Sequence, residues 1–203
     1  MSILLVRHGE TAGNAARVMQ RPEVPLNARG IRQAAQLAER LFELGFAHVL
    51  CSDLARARMT ADPLRARSSA LGIAIEETPL LQERNFGDLR GTPYAELTED
   101  PFAPDYVPPG GEGLEVFHRR VAQAFALVVE RRRGLSGSLV VVTHGMVCCA
   151  MLANHARVLA APEHVANTSL TILDPDPPFA ARLVNCTQHL SEGPDRLSAE
   201  VLV

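Results

Sequence analysis

The sequence predicts an α/β fold, a three-layer α/β/α sandwich around a mostly parallel sheet, and three observations carry that expectation. Apolar runs at residues 3–6, 47–51 and 139–142 read as strands covered on both faces. Between the first two, Ile31, Ala34, Leu37, Leu41 and Leu44 recur at helical spacing. Strands that alternate with helices call for parallel pairing through right-handed crossovers. With 203 residues, 47% of them hydrophobic, the chain is expected to form one domain over 1–203.

Taken in order, the first strand is followed by a loop and by Asn27, an N-cap for a helix that Gly45 stops. The second strand leads through Ser52 and Asp53, both capping residues, into a helix carrying Arg56, which Pro63 should break or kink. A short strand is expected at 73–75 and a loop from 80 to 91. Residues 100–113 mix prolines 101, 104, 108 and 109 with glycines 110, 111 and 113, a composition suited to an ordered surface loop. Phe117, Val121, Ala124, Phe125 and Val128 form the stripe of a helix over 114–133, ended by Gly134. Its tail, Arg131 to Arg133, suits the negative end of the helix dipole as a solvated cap. After the strand at 139–142 a helix runs to about Arg157, and two strands, 168–173 and 180–185, flank a proline-rich turn.

Composition narrows the chemistry. The formal net charge is −3 and the basic residues are scattered, so neither nucleic acid nor an anionic membrane is an expected partner. The first residues enter an apolar run with no basic leader or cleavage site, and no stretch nears the roughly 18 apolar residues of a membrane span. A cytoplasmic protein is expected, and a homodimer is compatible with the sequence. All 20 basic residues are Arg, which excludes Schiff-base and P-loop lysines. Phosphate would be held by Arg, whose planar fork matches its oxygens. Cys51, Cys148, Cys149 and Cys186 lack metal-site spacing and read as small buried hydrophobes.

Three predicted strands end in chemistry: the first in Arg7-His8, the second in Ser52 with Arg56 beyond, the third in His144. In open parallel sheets ligands bind beyond the strands' carboxyl ends, so these side chains can converge on one crevice. Two guanidinium groups and an imidazole donor suit the oxygens of a transferring phosphoryl group. A second imidazole is left as nucleophile, with one ring nitrogen held by a hydrogen bond and the other free. His48, His118, His155, His164 and His189 lack such surroundings and read as structural or exposed.

The order Arg7-His8-Gly9-Glu10-Thr11, Asn14, Ser52-Asp53-Leu54-Ala55-Arg56-Ala57, Glu83 with Gly87 and Gly91, and Thr143-His144-Gly145 resembles the histidine phosphatase superfamily, the phosphoglycerate mutase-like proteins. The likeness extends from about residue 3 to residue 189. It implies that His8 is phosphorylated, that Arg7, Arg56 and His144 bind phosphoryl oxygens with help from Asn14, and that Glu83 is the general acid and base. Asn14 has an equal structural use as a helix-capping residue. The acid role requires Glu83 to begin protonated, which burial or the substrate's charge would favour. No cofactor and no metal is implied, and the partner is a small phosphorylated substrate.

The same chemistry ends in hydrolysis or in transfer to a second hydroxyl. Mutases of the family carry a longer insertion after the acidic residue, with Arg and Tyr side chains for a carboxylate; between Glu83 and residue 114 this chain has only Arg84 and Arg90 as basic residues. Phe86, Tyr94, Phe102 and Tyr106 offer an apolar lining instead. The expectation is a phosphatase, with mutase activity and a non-catalytic binding member of the fold as alternatives. Residues 105–113 are a candidate specificity loop. Gly113 stands where small phosphatases of the family often have Ser, and Cys149 replaces an arginine common after the second histidine motif.

Overall fold

A computed structural model describes residues 1–68, 70 and 72–190; the last 13 residues of the expected domain lie outside that range. Among the described residues, six strands form one sheet: β1 (Ile3–Arg7), β2 (His48–Ser52), β3 (Ala74–Thr78), β4 (Leu139–Thr143), β5 (Leu170–Leu173) and β6 (Ala181–Cys186). Their order is β3-β2-β4-β1-β5-β6, with the first four parallel and β5 and β6 antiparallel. The α/β expectation therefore holds, and the antiparallel share comes from the hairpin around the proline-rich turn.

Alternation along the strands divides the core in two. Ile3 and Leu5 of β1 with Leu139 and Val141 of β4 pack against α4 (Leu114–Arg133) and α5 (Gly145–His155). Leu4 and Val6 with Val140 and Val142 pack against α2 (Ala28–Leu44) and α3 (Ala55–Ser68). β1 and β4 are thus buried on both faces, and the sandwich has three layers. A one-turn helix, α1 (Ala12–Ala16), follows the β1 loop. Among the described residues no helix is long and apolar enough to cross a membrane.

Several boundaries differ from expectation for identifiable reasons. The strand at 73–75 is β3 at 74–78; its Glu76 and Glu77 disguise it, because a sheet edge tolerates charge that a central strand does not. Helix α3 continues through Pro63 to Ser68. Helix α5 stops at His155, because the Arg157 amide turns to the carbonyls of Pro178 and Phe179. Ile31, placed on the buried stripe of α2, is 52% exposed, and Gly30 is buried in its place. Of the expected solvated tail, Arg131 forks both oxygens of Glu76 at 2.7 and 2.9 Å, while Arg132 is buried on the Leu135 carbonyl. Asn27 caps α2 as expected, accepting from the Gly30 amide at 2.8 Å.

Candidate active site

Strand register assembles the site. β1 and β4 pair with Arg7 opposite Thr143, so His8 and His144 leave the sheet side by side, ring centroids 5.1 Å apart. β2 pairs with β4 through Cys51 and Val142, which brings Ser52 within reach of His144. Both histidines are buried, at 2% and 0% exposure. A pocket of ≈ 80 Å³ over this strand end is lined by Arg7, His8, Asn14, Arg56, Glu83 and further residues. Five of the six candidate residues thus meet in one small cavity, with His144 packed against His8.

Each histidine is hydrogen-bonded through one ring nitrogen. His8 Nδ1 lies 2.7 Å from the Gly9 carbonyl, which can only accept, so the proton sits on Nδ1 and Nε2 keeps its lone pair. His144 Nε2 lies 2.8 Å from Ser52 Oγ, which itself accepts from the Leu54 amide. Burial first, then the cations Arg56 and Arg7, pushes His8 well below the usual histidine range. Burial, then Arg56 and the neighbouring His8, does the same to His144. Both rings are therefore neutral at pH 7, and a Ser52 hydroxyl that donates to Nε2 leaves a proton on His144 Nδ1.

The two arginines are fixed through part of their guanidinium groups. Arg7 Nη1 donates to the Val165 carbonyl at 2.6 Å and Arg56 Nη1 to the Arg21 carbonyl at 3.1 Å. Burial draws Arg56 down to about 10, which leaves it charged at neutral pH. Three buried nitrogens at this strand end, Arg7 Nε, Arg56 Nε and His144 Nδ1, have no hydrogen-bond partner among the described residues. Buried donors are rarely left so, and such a cluster is suited to receiving the oxygens of an anion.

Glu83 faces the same pocket on a bridge between two segments: its oxygens accept from the amides of Arg84, at 3.0 Å, and Met146, at 3.2 Å. Asn14 reconciles its two expected uses. Its Oδ1 accepts from the Thr11 amide at 3.2 Å in a capping box and from Asn167 Nδ2 at 3.3 Å, while the residue also lines the pocket. Phe86, Tyr94 and Phe102 line the pocket as expected, but Tyr106 does not; its carbonyl accepts from Arg84 Nη2 instead. Among the described residues no group of three or more His, Cys, Asp and Glu side chains is gathered to hold a metal ion.

The sequence model of the histidine phosphatase superfamily (branch 1) matches residues 3–186. The chain belongs to the histidine phosphatase superfamily. Its curated relatives include phosphoglycerate mutase-like protein 4 of Arabidopsis thaliana, 34% identical over 84% of this chain and 77% of that protein. The probable phosphoglycerate mutase GpmB of Yersinia pestis is 33% identical over 86% of this chain and 85% of its own length. Among solved structures, a mycobacterial glucosyl-3-phosphoglycerate phosphatase complexed with VO3 superposes with a TM-score of 0.73 at 25% identity, covering 85% of this chain and 90% of that one.

Membership of this superfamily is legible in the motifs, whereas their supporting residues are not. Ser52 was marked as a cap and proves also to orient His144. Thr60 Oγ1 accepts from the Gly9 amide at 3.0 Å, and Gly30 packs beneath the same loop. His118 and His164, expected to be structural or exposed, are exposed, and both line a second cavity contiguous with the site.

Proposed function

We propose that this histidine phosphatase hydrolyses phosphate monoesters through a phosphohistidine formed at His8. The observation that carries the reading is the trio of buried, unpartnered donors, Arg7 Nε, Arg56 Nε and His144 Nδ1, gathered around the histidine whose Nε2 is free. In the first step His8 Nε2 attacks phosphorus, the bond from phosphorus to the ester oxygen breaks, and Glu83 gives its proton to the departing alcohol. In the second, Glu83 takes a proton from a water that attacks phosphohistidine, releasing inorganic phosphate and restoring Nε2. The three donors and the Asn14 amide meet the phosphoryl oxygens, whose charge they stabilise most in the transition state.

Phosphoryl return to a second hydroxyl is the competing reading, and the names of the Arabidopsis and Yersinia proteins favour it. Against it stands the use of Arg84: its guanidinium is 1% exposed and spent on the carbonyls of Glu112, Pro101 and Tyr106. Arg84 and Arg90 both line the pocket, but a buried arginine so engaged is not free to grip a substrate carboxylate, which leaves that task to Arg90.

A panel of phosphate monoesters tests the proposal with wild type, His8→Ala and Glu83→Gln, with and without EDTA. Phosphate release that persists in EDTA, acid-labile protein phosphate in wild type and neither in His8→Ala are the expected results. Turnover retained by His8→Ala overturns the mechanism. Interconversion of 2- and 3-phosphoglycerate without comparable phosphate release selects the mutase.

A further inference from the structure

The catalytic pocket, at ≈ 80 Å³, has room for a phosphoryl group and little else. It opens into a groove of ≈ 870 Å³, inside the range of about 300–1,000 Å³ typical of small-molecule sites. Arg7, Asn14, Glu83 and Met146 line both cavities. Glu83 therefore stands at the junction, where an acid must stand to protonate an oxygen whose phosphorus is in the pocket and whose carbon lies in the groove.

We propose that this groove selects monoesters whose alcohol is a neutral, ring-bearing group larger than a three-carbon acid. The inference rests on the phosphatase reading and adds the substrate class to it. One wall is the face of α5 that bears Met146, Cys149, Ala150 and Ala153, spaced three, one and three residues apart so that all four share a side of the helix. Two alanines and a cysteine leave width there. The aromatic rings of Tyr94 and Phe102, edge to face at 6.1 Å, give the groove an apolar aromatic side suited to a flat ring.

Charge supports a neutral guest. Arg7 is committed to the Val165 carbonyl and the phosphate pocket, and Arg17 sits over the Tyr94 ring at 5.7 Å. Of the groove's other formal charges, Arg17 and the Glu163 carboxylate offset each other and Glu83 begins protonated, so no unopposed cation remains to hold a second anionic group on the alcohol. Asn154, His118 and His164 supply hydrogen-bonding groups along the same groove, so hydroxyls on the ring are accommodated.

The test compares 2-naphthyl phosphate, phenyl phosphate and 3-phosphoglycerate. Wild type is expected to favour naphthyl over phenyl phosphate by about tenfold in kcat/KM, the scale of an added apolar contact, and to disfavour 3-phosphoglycerate. Ala153→Trp, on an exposed position of α5, should erase the naphthyl preference, and Glu163→Arg should raise kcat/KM for 3-phosphoglycerate. Calorimetric binding of the two aryl esters to His8→Ala protein gives a readout that needs no turnover. Tighter binding of naphthyl phosphate with no hydrolysis by wild type sinks the phosphatase reading and keeps the groove. Hydrolysis without naphthyl preference, or a preference that survives Ala153→Trp, sinks the groove and keeps the phosphatase.

Discussion

Gly9 and Gly30 pack backbone to backbone, and neither has room for a side chain. A Cβ on Gly9 would lie 2.7 Å from the Gly30 carbonyl oxygen, and one on Gly30 would lie 2.0 Å from the carbonyl oxygen of Glu10. The first turn of α2 thus supports the loop that carries His8. Alanine ordinarily stabilises a helix interior by about 1 kcal/mol over glycine, but overpacking costs about 1–3 kcal/mol, and here the obstruction is backbone that cannot rotate away. Gly30→Ala is therefore expected to lower both the urea midpoint and the turnover of phosphate monoesters. An unchanged or raised midpoint would show that the loop yields freely.

Ser52 is the second support. Its hydroxyl accepts from the Leu54 amide and, by donating to His144 Nε2, would place the proton of that ring on Nδ1. Ser52→Ala removes both of these buried hydrogen bonds, and stranding the His144 nitrogen alone costs about 1–3 kcal/mol, so turnover should fall about 10- to 100-fold with a smaller change in KM. If the serine acts through His144, its removal from a His144→Ala protein changes little. A full further loss in that double variant assigns Ser52 another role.

What the sequence made legible and what it hid divide along a physical line. Arg7, His8, Arg56 and His144 stand beside apolar strands whose ends announce where a ligand sits, and strand alternation announced the layers. Supports such as Gly30 and Thr60 act across 20 to 50 residues of chain, through backbone contact or one hydroxyl, and leave no local pattern. β3 was misplaced because Glu76 and Glu77 are explained by distant partners, Arg131 for one and Arg58 and Arg65 for the other. Glu83 was found through the family motif alone; its orientation depends on the Met146 amide, 63 residues onward.

One buried cation ties the proline-rich loop down at three points. Arg84 donates from Nε to Glu112, from Nη1 to Pro101 and from Nη2 to Tyr106, each at 2.8–2.9 Å, and so holds three points of the 100–113 loop. Arg84→Met strips donors from three carbonyls, some of which regain water as the loop opens, for a net loss of about 2–4 kcal/mol. Lysine's three N–H groups diverge from a single nitrogen and cannot reach carbonyls held from three separate guanidinium nitrogens, so it should not rescue the loop. Limited proteolysis within 100–113 should accelerate in both variants; unaltered cleavage would mean the loop is held by its other contacts, such as Arg120 on Glu112 and the Asp88 amide on the Pro109 carbonyl.

Acid sensitivity follows from the two neutral histidines. His8 and His144 take up protons near pH 6.5 in the unfolded chain but only well below that in the folded one, because burial and the flanking arginines oppose a charge there. The unfolded state thus binds more protons as pH falls through 6.5, so stability is full above that value and declines below it. From about pH 7.5 to about pH 5.5 each histidine removes ~1.4 kcal/mol. Urea unfolding of the ligand-free protein at those two pH values measures the slope, and His8→Asn, which cannot titrate, should lessen it by one histidine's share. If the variant shows the wild-type slope, His8 is not neutral by enforced burial, and the attacking lone pair at Nε2 needs another source.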